Sequence, residues 1–117
     1  MEFTERLEYI RRFDPDGAAR LERLFNKDKN LKEGNVYKER FTDRQFFLVF
    51  NPLVDAAYKR AKLLEVLSEG NSTIYGISGR LNMAPGEVFN HMKELMRKNM
   101  VEIVGHEGRD AIFRRRG

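Results

Sequence analysis

The chain contains no cysteine and only two histidines, His91 and His106. The absence of cysteine excludes disulfides, zinc sites built on thiolates and redox switching by thiols. The absence of cysteine is compatible with a reducing compartment but does not establish one. Two histidines are too few for a histidine-rich metal site, so we expect neither a metal nor another cofactor.

Long apolar segments are also lacking. No run approaches the ~20 apolar residues that a membrane-spanning helix needs. The opening segment MEFTERLEYIRRF carries acidic and basic residues by turns, which is not the pattern of a signal peptide. The sequence therefore predicts a cytoplasmic protein that is not associated with a membrane.

Groupings typical of an enzyme are missing as well. Catalysis needs convergent groups, such as a nucleophile with a base within hydrogen-bond reach. His91 is expected to be a partly buried structural residue, and Ser72 and Ser78 are explained as a helix cap and a helix-surface residue. Gly76 and Gly79 lie within a helical pattern rather than in a phosphate-binding loop. We do not expect an enzyme.

What is present is a mild basic excess, with a net charge of +4. Three arginines, Arg114 to Arg116, stand together near the end of the sequence. A basic cluster on one element is a better electrostatic signature of nucleic-acid binding than the same charge spread evenly. An isolated run of arginines is explained equally well as a tail that increases solubility.

Residues 1–50 predict a helical arm. Apolar residues at three- and four-residue steps predict a helix over 2–12. Asp14 predicts the cap of a second helix, with Pro15 at its first position. The polar run 26–35 predicts a loop.

Residues 36–50 allow two interpretations. A hairpin with extended structure at 46–50 is favoured, and the alternative is a short helix capped by Thr42 that runs through Phe50. Four phenylalanines in this region are expected to be buried, in the core or else at a dimer interface or in a small-molecule pocket: Phe41, Phe46, Phe47 and Phe50.

Residues 51–117 predict a second domain. Asn51 and Pro52 have the pattern of a helix start, and Gly70 that of a helix end. Ser72 or Thr73 caps the next, shorter helix. A turn of three residues, Asn82-Met83-Ala84, then follows.

A third helix is predicted over 85–98, beginning at Pro85. Its inner face is expected to carry Val88, Met92, Leu95 and Met96. Asn99 is expected in the left-handed conformation that ends a helix. The segments VEIV and AIF predict two strands, with Gly105 and Gly108 bracketing the turn. The fold expected is therefore mainly α with a small β-hairpin wing, a winged helix-turn-helix, plus the N-terminal helical arm.

The segments YKRAKLLEVL and ISGRLNMAPGEVFNHMKELMRKNMVEIVGHEGRD resemble the helices, recognition helix and wing of ArsR- and MarR-like winged-helix transcriptional regulators. The resemblance covers residues 53–116. It implies that helix 85–98 enters the major groove of double-stranded DNA and that wing 105–110 lies on the DNA backbone. The residues it implies at the DNA are Glu87, Phe89, Asn90, Lys93, Arg97, His106, Arg109, Arg114 and Arg115.

These positions suit DNA unequally. Asn90 can bond to adenine through two hydrogen bonds, and Lys93 and Arg109 can neutralise phosphates. Glu87 repels phosphate, although it can accept from cytosine N4. Phe89 suits a thymine methyl group or a protein interface. The alternative function is therefore a winged-helix module that binds a protein partner rather than DNA.

A single winged helix reads only a few base pairs, so regulators of this kind reach two half-sites as dimers. We therefore expect a homodimer, formed through the N-terminal helices and the Phe-rich segment.

Overall fold

The computed structural model describes residues 3–32 and 43–116, apart from the side chains of residues 27–32 and 43–47. This part of the chain is mainly helical, with one small antiparallel hairpin. It divides into two compact units, residues 1–58 and 59–117. The elements, in chain order, are α1 (Phe3–Phe13), α2 (Pro15–Lys32), α3 (Asp43–Glu69), α4 (Ile74–Leu81), α5 (Pro85–Arg97), β1 (Val101–Glu107) and β2 (Asp110–Arg115).

Helix α2 begins where the sequence predicts. The backbone N–H of Gly17 donates to Asp14 Oδ1 at 3.0 Å, so Asp14 caps α2 and Pro15 opens it. The predicted loop at 26–35 is wrong over residues 26–32, because α2 continues to Lys32. The polar residues there include neither glycine nor proline, and lysine is a good helix former.

Helix α3 contradicts two predictions. Residues 46–50 are helical rather than extended, and Asn51 and Pro52 lie inside the helix rather than at its start. Proline in a helix removes one hydrogen bond. Pro52 lies on the exposed side of the helix, while Phe50 and Val54 are buried on the opposite side. That burial continues the helix across the proline.

An aromatic cluster forms the core of the first unit. Phe50 is 1% exposed, and its ring centroid lies 5.2 Å from that of Phe3 and 5.9 Å from that of Phe25. The rings of Phe3 and Phe25 are 5.0 Å apart. Core packing, one of the predicted uses of the phenylalanines, is thus confirmed for Phe50. Phe41 and the side chains of Phe46 and Phe47 lie outside the described residues.

The second unit buries the last turns of α3 against the helices and hairpin that follow. Its buried side chains include Leu63, Leu64, Ile77, Val88, Met92, Leu95, Val101 and Phe113. On α5 the buried residues follow steps of four and three, as an amphipathic helix requires. Met96, predicted to face inward, is 38% exposed, because it lies one helical position beyond this face.

Local signals place the turns of this unit correctly. The hydroxyl of Thr73 accepts from the backbone N–H of Gly76 at 3.1 Å and caps α4. Asn82, with φ of 55°, ends α4, and α5 starts three residues later at Pro85. Asn99 has φ of 62°, as predicted for the residue that ends the third helix.

Strands β1 and β2 pair from Val101 opposite Arg115 to Glu107 opposite Asp110. Only Gly108 and Arg109 remain in the loop, which is shorter than predicted. Gly108 has φ of 63°, the left-handed conformation that a two-residue hairpin loop needs and that glycine adopts without strain. Two backbone hydrogen bonds between Ser72 and Phe113, of 3.2 and 2.8 Å, join the hairpin to the residues before α4.

Candidate functional site

The outer face of α5 carries three of the predicted site residues. Burial of Val88 and Met92 turns Phe89, Asn90 and Lys93 outward, and all three are exposed. The Nζ of Lys93 lies 5.0 Å from the centroid of the Phe89 ring, a cation–π contact between residues one turn apart. No carboxylate of the described residues forms an ion pair with Lys93. Its charge is therefore available to a ligand.

Glu87, the acidic residue in the first turn of α5, forms an ion pair with another residue of the protein. Lys59 Nζ donates to Glu87 Oε1 at 2.7 Å, and His91 Nε2 lies 3.9 Å from the same oxygen. The hydrogen bond from Lys59 is the main cause that lowers the pKa of Glu87 below its ordinary value. The negative charge expected to oppose phosphate is thus balanced by a lysine of α3.

His91 is half-buried beneath this ion pair. Burial, followed by the positive charge of Arg60, lowers the pKa of His91 below 6.5. The imidazole is therefore neutral at pH 7. Its half-buried position agrees with the partial burial predicted for it.

Arg97 bonds to Glu94 one turn earlier on α5. Its Nε donates to Glu94 Oε2 at 3.1 Å, and its Nη2 donates to the other carboxylate oxygen. This contact is the main cause that lowers the pKa of Glu94 and raises that of Arg97. Arg97 must exchange this partner before it can bind a phosphate.

The hairpin presents Arg109 at its tip. Arg109 is exposed, and none of the carboxylates that the structure describes pairs with it. His106 was expected at the tip as well, but it lies within β1 opposite Ala111. The strands continue two residues beyond Gly105, and this moves the turn to Gly108 and Arg109.

The C-terminal arginines bind other parts of the protein. Arg114 forms an ion pair with Glu102 on the neighbouring strand. Arg115 Nη1 donates to Ser68 Oγ at 2.6 Å, and Arg116 Nη1 donates to Asn99 Oδ1 at 2.7 Å. These contacts attach β2 to the ends of α3 and α5, so the basic cluster has a structural use that the sequence did not reveal.

A depression of about 350 Å³ lies where the starts of α4 and α5 meet the hairpin turn. Two exposed aromatic rings, Tyr75 and Phe89, belong to its lining, together with Arg109 and Asp110 at the turn. The other lining residues are Ile74, Pro85, Gly86 and Ala111. The sequence does not identify Tyr75 or Asp110 as site residues. The signal it offers for Tyr75 is the position of this tyrosine on the outer side of a short amphipathic helix.

Comparison of the chain with family models, curated proteins and solved structures found no match. Among the described side chains of residues 3–26 and 48–116, no group of three histidine or acidic residues is placed to hold a metal ion. The same part of the chain contains no helix that is both long and apolar enough to cross a membrane.

Proposed function

We propose that this chain is a cytoplasmic winged-helix regulator that binds double-stranded DNA through α5 and the hairpin. The observation that carries the proposal is the shared surface of these two elements. Phe89 of α5 and Arg109 of the hairpin line the same depression, and Asn90 and Lys93 are exposed on the same helix. Helix α5 and the hairpin tip with Arg109 therefore share one surface, and we propose that DNA binds there.

The connection between α4 and α5 supports a helix-turn-helix. Three residues, 82–84, separate the helices, which is the turn length of this motif. A hairpin follows α5 directly, after Asn99 ends the helix. This order of elements supports the proposal that α5 is the helix that enters the major groove.

The electrostatics of α5 also favour an anionic ligand. The Ala84 side chain caps none of the N–H groups at the start of α5, and a helix N-terminus attracts phosphate through such groups. Glu87 would oppose this attraction, but Lys59 already neutralises it. Lys93 of α5 and Arg109 of the hairpin add two positive charges that form no ion pair with the residues the structure describes.

The test is binding-site selection from random DNA, followed by fluorescence anisotropy at several salt concentrations. We expect affinity to fall steeply with salt, with a slope of about −0.9 per neutralised phosphate. The double substitution Lys93→Ala, Arg109→Ala should weaken binding and reduce the slope by up to about 1.8 units. Arg20→Ala, Arg23→Ala removes the same charge from exposed positions of α2 and is the matched control.

Enrichment of no sequence by the wild-type protein, together with no binding at low salt, would reject DNA binding. Equal losses in the Lys93, Arg109 variant and in the Arg20, Arg23 variant would reject the assigned surface. The charge lost is the same in both variants, so only its position distinguishes them.

A protein-binding winged helix is the second candidate, and the exposed aromatic pair Tyr75 and Phe89 favours it. Aromatic residues are enriched at protein interfaces. A stoichiometric partner that survives nuclease treatment and is lost in a Phe89→Ala variant would support this candidate over DNA binding.

We also propose that the protein is a homodimer whose interface includes the first half of α3. Leu48 is 66% exposed, Val49 60% and Leu53 46%, and their spacing places them on one side of the helix. Light scattering at tens of micromolar protein should show a dimer. Val49→Asp should convert it to a monomer, whereas Ile103→Asp, at an exposed position of β1, should not.

A further inference from the structure

The depression between α4, α5 and the hairpin turn differs from a flat duplex-binding surface. Tyr75 is 64% exposed and Phe89 48%, yet the two rings come from different helices and line one concavity. Exposed aromatic rings beside positive charge are the platform on which proteins stack unpaired bases. Lys93 lies over the Phe89 ring and supplies that charge.

The size of the depression limits its occupant. Its volume of about 350 Å³ stands at the lower end of the range for ligand pockets. It has room for one planar ring system. A single base that leaves the stack of a nucleic acid satisfies this limit, whereas a paired base cannot enter without unpairing.

The polar side chains of the lining complement a nucleotide in two ways. Arg109 offers a guanidinium group to a phosphate. Asp110 offers a carboxylate, which accepts hydrogen bonds from the amino group of a base such as cytosine. Within the part of the chain that the structure describes, neither residue forms an ion pair, so both are open to a ligand.

We propose that this depression binds one unpaired base, stacked on Tyr75 and Phe89, with Asp110 on its amino group and Arg109 on its phosphate. The inference rests on the proposed binding of DNA and adds a preference for DNA that contains a short single-stranded gap. Cytosine is favoured over thymine in the gap, because thymine has no amino group to donate to Asp110.

The test compares a blunt duplex of roughly 20 base pairs, about two turns of DNA, with the same duplex carrying a gap of a few cytosines or a few thymines. Wild-type protein should bind the cytosine-gapped duplex more tightly than the blunt one. Phe89→Ala and Tyr75→Ala should each reduce binding of the gapped duplex by about 5- to 150-fold, as loss of one stacking contact does. Asp110→Asn should remove the preference for cytosine.

A second variant tests the depression without removing any side chain. Gly86 lines the depression, and a Cβ added there meets no atom within 4 Å, so we expect a leucine at this position to fit and to reduce the space in the depression. Gly86→Leu should abolish the advantage of the gapped duplex. Gly79→Leu is the matched control, since Gly79 also has open space around it but lies outside the lining.

Equal affinity of the wild-type protein for blunt and gapped duplexes overturns this inference. If the blunt duplex still shows salt-dependent binding in that case, the proposed function stands and only the base site is lost. Absence of binding to either duplex rejects both proposals. A protein partner that Gly86→Leu displaces, with gapped DNA unaffected, assigns the depression to that partner and also overturns the inference.

Discussion

Alanine substitution at the two glycines of α4 separates helix propensity from local packing. In a helix interior, alanine is more favourable than glycine by about 0.8–1.0 kcal/mol. A Cβ at Gly79 would meet no atom within 4 Å, so Gly79→Ala should gain this full amount. A Cβ at Gly76 would lie 2.5 Å from Ser72 Oγ, which is too close.

Ser72 can relieve this clash only by rotating its hydroxyl. Its backbone is fixed by hydrogen bonds with Phe113, and rotation breaks the 3.3 Å bond from Ser72 Oγ to the Thr73 carbonyl. Gly76→Ala should therefore be close to neutral in the wild-type background. In a Ser72→Ala background the hydroxyl is absent, and Gly76→Ala should then stabilise the protein by most of the helix-propensity difference. The coupling free energy between positions 72 and 76 should therefore be about 1 kcal/mol.

Urea denaturation followed by circular dichroism measures all four members of this cycle and Gly79→Ala. A gain of 1 kcal/mol also raises the melting temperature by roughly 4 °C in a chain of this size. Equal effects of Gly76→Ala in the two backgrounds would refute the predicted clash. A destabilising Gly79→Ala would refute the description of α4 as a helix weakened by glycine.

Three further predictions concern the second unit. Because burial lowers the pKa of His91 in the folded protein below 6.5, the unfolded chain binds more protons as the pH falls. The free energy of unfolding should therefore decrease from about pH 7.5 to about pH 5.5, and His91→Gln should flatten this dependence in urea titrations; an unchanged dependence would contradict the assigned burial of the imidazole. Leu95 is 1% exposed, so Leu95→Ala should lower the free energy of unfolding by about 2–5 kcal/mol, whereas Met96→Ala should lower it by less than about 1 kcal/mol. Equal losses in the two variants would contradict the assigned inner face of α5. Thr73→Ala removes the cap of α4 and should lower the free energy of unfolding by about 1 kcal/mol, whereas Thr73→Ser should retain most of the stability. An unchanged free energy of unfolding in Thr73→Ala would show that the cap contributes nothing.

Three predictions that rest on one or two neighbouring residues agree with the structure. Asp14 with Pro15, Thr73 and Asn99 each act within one helical turn, through a side-chain cap or a left-handed backbone. Such signals depend on atoms only a few residues apart. They are therefore readable without knowledge of the fold.

Predictions whose outcome depends on packing between distant residues are wrong at Pro52 and Met96. Pro52 was interpreted as a helix start, yet burial of Phe50 and Val54 continues the helix through it. The position of Met96 followed from periodicity alone, and a difference of one position around the helix decides whether a side chain is buried. Local propensity is a weak guide where tertiary contacts are strong.

The candidate site shows the same division. Phe89, Asn90 and Lys93 are exposed on α5 as their spacing predicts. The pairing of Glu87 with Lys59, 28 positions earlier, was not predictable, and it changes the charge that α5 offers to a ligand. Tyr75 joins the depression only because α4 and α5 meet there.

By itself the sequence determined the helices of the second unit, the turns between them and the hairpin that follows, because apolar spacing and capping residues act over short stretches of chain. The tertiary structure decided which charges remain available and which side chains share a surface. Ion pairs and concavities join residues far apart in sequence. Arg114 and Glu87 therefore form ion pairs within the protein, while Lys93 and Arg109 form none with the residues that the structure describes.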